Sequence, residues 1–185
     1  CSSDLAIHKT YKEYWLQALH NSIKKLLSIL WELSKYITKN EIVRFTYCRQ
    51  DGTQREHEVK PVAIMFSEYY FYIIGFMADD SKDFPTVFRV DRLSELCGTN
   101  SKFYVPYKDR CDDGEFRKRV QFMYAGELKH IKFEFNGPSV EAILDRIPTA
   151  EIIKSDGNKH TIKAECYGDG VLMWLRTQGD YVKML

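Results

Sequence analysis

The chain has 185 residues, of which 44% are hydrophobic and 29% charged, and its formal net charge is +1. Those values allow a packed core and argue against disorder. They also argue against a protein that coats nucleic acid through bulk charge, so any such contact must come from a local patch.

The pattern from Thr10 to about Lys39 is helical. Trp15, Leu19, Ile23, Leu26, Leu30, Leu33 and Ile37 recur three or four apart on one stripe, with Lys12, Lys24, Lys25, Glu32 and Lys35 largely off it. Asn21-Ser22 can cap a second helix, so the segment is one long helix or two joined there. The stripe must be buried, either on the domain that follows or in a dimer interface.

At Glu41 the period changes. Ile42–Tyr47 is β-branched and aromatic and reads as a strand. Arg49-Gln50-Asp51-Gly52 is a turn, since Asp-Gly tolerates positive φ. A second strand runs from Glu58 to Met65, and Pro61 within it removes a ladder donor, which demands an edge or a bulge. Tyr69–Ala78 is a third strand, holding the run Phe71–Phe76. Asp79–Asp83 is a polar loop. Thr86–Arg89 is a fourth strand, and Val90–Glu95 leads into a fifth near Leu96. Five short antiparallel strands with tight turns predict a small barrel over residues 41–103.

Residues 104–128 are charged and mixed, with Pro106 and Gly114, and read as a linker with a helical turn. Arg117-Lys118-Arg119 within it reads as a solvated face. Beyond it, Lys129–Phe135 is a strand and Ser139–Arg146 a helix with Val140, Ile143, Leu144 and Ile147 inward. Glu151–Lys154 and His160–Cys166 form a hairpin around Asp156-Gly157. Gly168–Arg176 is a helix and Tyr181–Leu185 a final strand, expected to pair inside the sheet. The order over 129–185 is β-α-β-β-α-β, a ferredoxin-like arrangement. The fold class is therefore α+β, in three parts: a helical segment over 1–40, the barrel and the ferredoxin-like unit.

The cysteines, Cys1, Cys48, Cys97, Cys111 and Cys166, are odd in number and show no C-x-x-C spacing. That argues for reduced thiols and against a disulfide framework or zinc site. No run approaches a membrane span, and no signal peptide is visible, so a cytoplasmic protein without a membrane partner is expected. His8, His20, His130 and His160 lack metal-ligand spacing. With no nucleophile elbow, phosphate loop or zinc-protease helix, no enzyme, catalytic residue, metal or cofactor is expected. The start at Cys1 rather than Met suggests a piece of a longer protein.

A strand Tyr (Tyr47), the Asp51-Gly52 hairpin, His57-Glu58-Val59-Lys60-Pro61, Phe71-Tyr72-Ile73 and Phe88-Arg89-Val90-Asp91-Arg92 follow one another in the order of the WYL domain family, which this chain resembles. The family pattern is R-x-V-x-P, W-Y-L and F-R-x-D-R, and the last motif matches in full. Phe71 stands for the Trp and loses its indole N–H. His57 stands for the first Arg, and Arg55, two residues back on the same strand face, can supply the missing guanidinium. Arg146-Ile147-Pro148, Tyr167-Gly168 and Trp174–Gly179 resemble the extension that commonly follows this domain.

The resemblance implies an Sm- or SH3-like barrel within a bacterial transcription regulator. Such proteins carry an N-terminal winged helix-turn-helix, which this chain does not display before Thr10. It further implies that the barrel binds nucleic acid or a nucleotide-derived anion and passes that state to the DNA-binding part. The ligand residues so implied are Arg89, Arg92, Tyr47 and Tyr72, with Arg55 and His57 where the motif departs. A single-stranded or small oligonucleotide is the expected partner, and a homodimer the expected assembly. Each residue has a plainer reading. Tyr47 and Tyr72 can be core tyrosines with satisfied hydroxyls. Arg89 and Arg92 can pair with Asp91 or Glu95, and the whole chain can be an interaction module whose arginines are structural.

Overall fold

A computed structural model describes the backbone of residues 2–104 and 113–185 and the side chains of residues 20–104 and 114–185. The first element, α1 (Ser2–Lys39), is one uninterrupted helix. It starts before Thr10 and continues through Asn21-Ser22. Its C-terminal third carries the burial: Leu33 is fully enclosed, and Leu26, Ile29, Leu30 and Tyr36 pack beside it.

The next five strands form one antiparallel sheet. They are β1 (Glu41–Cys48), β2 (Gln54–Ser67), β3 (Tyr70–Met77), β4 (Thr86–Arg89) and β5 (Leu93–Lys102), with a 3-10 turn at Val90–Arg92. The strand order is β4-β3-β2-β1-β5. Pro61 lies in the central strand β2, and the register against β3 slips between Pro61 and Ala63. That bulge satisfies the proline, which has no N–H to give the ladder. It also changes which β2 residues face which side. Val59 looks to the α1 face, while Ala63 and Met65 look to the other.

The sheet is strongly curled. In a flat sheet, β4 would stand three strand spacings, about 14 Å, from β1. Yet the Phe88 ring lies 5.2 Å from both Phe45 and Tyr47. The side chains of β1 and β4 meet across a concave interior filled by Val43, Phe45, Val59, Ile73, Phe88, Val90 and Leu93, with Leu33 of α1 as its plug. Among the described residues no ladder joins β4 to β5. The expected closed barrel is thus corrected to an open, rolled sheet, whose mouth is stopped by helix packing rather than by backbone pairing.

The other face is covered by α2 (Asp113–Arg119) and the residues after it. Phe116, Val120 and Met123 bury themselves against Ala63, Met65 and Ile74. The basic run at 117–119 is not simply solvated. Arg119 pairs with Glu115 and with Glu165, Lys118 pairs with Glu115, and Arg117 donates to the Phe66 carbonyl at 2.9 Å.

The last unit holds β6 (Leu128–Phe135), α3 (Glu141–Arg146), β7 (Glu151–Asp156), β8 (Lys159–Tyr167), α4 (Gly170–Arg176) and β9 (Val182–Met184). The sheet order is β7-β8-β6-β9, antiparallel throughout. Ile143, Val171 and Leu175 from the two helices, with Ile147 just past the end of α3, enclose Phe133, Phe135, Ile162 and Cys166 on one face of the sheet. The expectation that the final strand pairs on both sides is corrected. Because β6 takes β8 on one flank and β9 on the other, β9 is an edge strand.

Candidate functional site

The register of β1 against β2 sets Tyr47 opposite Arg55 and Phe45 opposite His57. Opposed residues share a face, so these four side chains form two ranks on the concave side. His57 is half-buried among rings, 5.0 Å from Phe88, 6.0 Å from Phe45 and 6.4 Å from Tyr47. Burial first, then repulsion from Arg49, Lys82 and Arg55, pushes its pKa below the usual histidine value. It is therefore neutral at pH 7 and fills the aromatic cluster rather than offering charge. Arg55 is exposed and makes no ion pair or hydrogen bond among the described residues.

The register of β3 against β4 sets Tyr72 opposite Arg89. Tyr70, two residues earlier on β3, shares their face. Arg89 is fixed from three sides. Its Nε and Nη2 donate to the two Asp91 carboxylate oxygens at 3.0 and 2.6 Å. Its guanidinium carbon lies 3.4 Å from the centre of the Tyr70 ring. Its backbone N–H donates to the Tyr47 hydroxyl at 3.4 Å. The side chain retains 21% of its exposure. The fork-on-carboxylate bond raises the Arg89 pKa and, against partial burial, holds Asp91 below the ordinary carboxylate value. Burial raises the Tyr72 phenol, partly offset by the adjacent Arg89 charge.

Arg92 closes the 3-10 turn. It is partly exposed and has no hydrogen bond or ion pair among the described residues. Its charge nonetheless reaches Asp91 and helps to keep that carboxylate ionised. The F-R-x-D-R segment thus does two different things with its arginines. One is clamped and stacked; the other's donors have no partner among the described residues. The arrangement offers an anion a fixed positive edge beside phenol rings. No group of three or more His, Cys, Asp or Glu among the described residues stands close enough to hold a metal.

Comparison with known proteins bears on this surface. A family model for the WYL domain matches residues 28–97. The chain carries a WYL domain. All six residues implied as ligand contacts fall inside the match, as do β1 to β4, the first half of β5 and the last third of α1. Inclusion of that helical segment has a physical reason, since Leu30, Leu33 and Tyr36 complete the core of the WYL sheet. Among solved structures, the chain is similar to Proteasome accessory factor B/C (PafBC) of Arthrobacter aurescens, with 16% identity and a TM-score of 0.43 over 84% of this chain and 24% of that one. It is also similar to a CRISPR Cas-related protein, with 15% identity and a TM-score of 0.54 over 90% of this chain and 47% of that one. The second likeness shows a shared fold. The chain thus spans about a quarter and about half of these two proteins. No curated protein matches.

Tyr70, Tyr72 and Arg89 share one face of the WYL sheet, while Tyr47 lies on the concave face and meets the Arg89 backbone N–H at the sheet's end, with Arg92 beside Asp91. Arg55 and His57 lie on the concave side, with His57 turned into the core. Sequence reasoning missed Tyr70, whose ring supports Arg89. The signal was available: Tyr70 and Tyr72 are two apart on one strand and so must share a face.

Proposed function

We propose that this chain is the ligand-sensing part of a WYL-type transcriptional regulator, working in the cytoplasm without catalysis. It takes nucleic acid or a nucleotide-derived anion on the WYL sheet and relays that state to a DNA-binding helix-turn-helix outside these residues. The carrying observation is the pairing of a pre-oriented Arg89, stacked on Tyr70 and held by Asp91, with an Arg92 whose donors have no protein partner among the described residues. Arg92 supplies the free charge, Arg89 the fixed edge, and Tyr47, Tyr70 and Tyr72 the ring faces on which bases can stack. Arg55 extends the positive rim, while His57 acts through packing. The curl of the first sheet supports an Sm-like reading of the domain, and the β7-β8-β6-β9 order supports a ferredoxin-like reading of the last unit.

The test is fluorescence anisotropy with a labelled single-stranded oligonucleotide. Arg92→Ala is expected to weaken binding about tenfold, the worth of one charge-assisted contact, with an unchanged melting temperature. Binding should also fall steeply as salt rises. Arg89→Ala is a less clean probe, because it removes a stacked, ion-paired side chain as well. Wild-type affinity in a folded Arg92→Ala protein would reject the site.

The second reading is an interaction module, with α1 joining two copies and the arginines serving the fold. Ile23, Leu27 and Trp31 favour it: they recur every four residues on α1 and remain 48%, 59% and 65% exposed. Salt separates the two readings, since association through an apolar stripe does not weaken as ionic strength rises.

A further inference from the structure

A second cleft lies on the face of β2 and β3 that α2 covers, the face that Tyr72 shares, and Arg89 and Arg92 do not line it. It encloses about 330 Å³ between the β2–β3 turn (Phe66, Ser67, Glu68), the end of α2 and residues 120–123, and Arg146 at the close of α3. That volume is on the scale of pockets that hold small organic ligands, whose lower end is about 300 Å³.

Arg146 is the anomaly here. Its backbone carbonyl accepts from Gln121 Nε2 at 3.0 Å, and its guanidinium carbon sits 5.1 Å from the centre of the Phe122 ring. Its Nε is shut off from solvent and has no hydrogen-bond partner among the described residues. A buried cationic donor without an acceptor is costly and rare, and no acceptor for it stands among the described residues. Across the cleft, Arg117 spends one donor on the Phe66 carbonyl and, among the described residues, leaves the others unused.

The walls are also strained. Phe122 and Met123 are consecutive bulky residues at φ 55° and 51°, and Glu68 on the facing turn has φ 57°. Such backbone persists where the surroundings enforce it, and ligand clamps are where it gathers. Phe66 and Phe122 are each about half exposed and add ring faces to the lining.

We infer that this cleft binds a compact organic anion, with its phosphate or carboxylate head on Arg146 and Arg117 and its planar body against the phenylalanine rings. Both heads present a pair of acceptor oxygens to which a guanidinium fork can donate. Glu68 is the one carboxylate in the lining, and it opposes the anion.

The test titrates the whole chain with adenosine 5′-monophosphate, benzoate and inorganic phosphate, followed by calorimetry. Adenosine 5′-monophosphate or benzoate is expected to bind, and the preferred one identifies the head group. Arg146→Gln should weaken that binding at least about tenfold, and Glu68→Gln should strengthen it, a gain that misfolding cannot produce. Arg92→Ala should leave it unchanged, which separates this cleft from the WYL surface. No binding by any of the three probes would overturn the inference. So would binding indifferent to Arg146→Gln, or binding lost with Arg92→Ala.

Discussion

His57 shows how one side chain can change meaning between motif and fold. A guanidinium at this point of the strand would carry permanent charge. The imidazole instead closes a ring cluster with Phe45, Tyr47 and Phe88, and its surroundings disfavour protonation. The sign of the pH effect follows. The folded-state pKa lies below the unfolded value of about 6.5, so the unfolded chain binds the proton more readily. The stabilisation is complete above that unfolded value and is lost as pH falls through the lower, folded one. Melting temperature should therefore drop on acidification below pH about 6.5. The drop should be smaller in His57→Phe, which keeps a ring but cannot titrate. Equal slopes in the two proteins, measured by thermal unfolding between neutral and mildly acid pH, would contradict the assignment.

Arg89 and Arg92 were equivalent in sequence, two arginines flanking an aspartate. Only geometry separates them. A residue two positions from Asp91 on a strand that ends in a 3-10 turn reaches the carboxylate with both nitrogens, while its neighbour on the far side of the turn does not.

At the scale of elements, the strands were legible because their chemistry is local. Alternation, the Asp51-Gly52 turn and the proline-forced bulge near Pro61 each depend on a few neighbouring residues, and the structure has all three. Long-range features were not legible in the same way. The length of α1 depends on residues before Thr10 that show no stripe. The covering of the second sheet face by Phe116, Val120 and Met123 comes from a charged stretch whose three apolar residues gain meaning only when folded against Met65 and Ile74.

That covering stretch is joined to the last unit at Tyr167-Gly168. The Tyr167 ring packs 5.5 Å from Phe116, and the Gly168 N–H donates to the Glu127 carbonyl at 2.9 Å. Gly168 has φ +62°, and a Cβ there would meet the carbonyl oxygens of Tyr124 and Ala125 at 2.7 and 2.8 Å. Gly168→Ala must strain the backbone and push two carbonyls aside. It is expected to lower stability by about 1–3 kcal/mol in denaturant unfolding, by loosening residues 120–127. An unaffected midpoint would show that this junction contributes little.

At the scale of the whole molecule, two sheets lie on either side of a short helical stretch, and a long helix plugs the first of them. The described part of the chain has no helix long and apolar enough to cross a membrane. What a sequence pattern conveyed well was the WYL domain itself, since the F-R-x-D-R segment and its preceding strands stand in order. The site was legible only in part. Tyr47, Tyr72, Arg89 and Arg92 were implied by the motif, but the Tyr70 support and the inward turn of His57 follow from strand register and curl. The Arg117 and Arg146 cleft had no sequence signal, because its walls come from three elements distant in the chain.

The central claim is that the rolled WYL sheet receives an anionic guest at the Arg89–Arg92 end. The most direct measurement is a titration of the isotopically labelled chain with a short single-stranded oligonucleotide, followed residue by residue by amide NMR shifts. Saturable changes gathered on Tyr47, Tyr70, Tyr72, Arg89 and Arg92 are the predicted result. An unperturbed spectrum, or shifts confined to residues outside that end of the sheet, would contradict it.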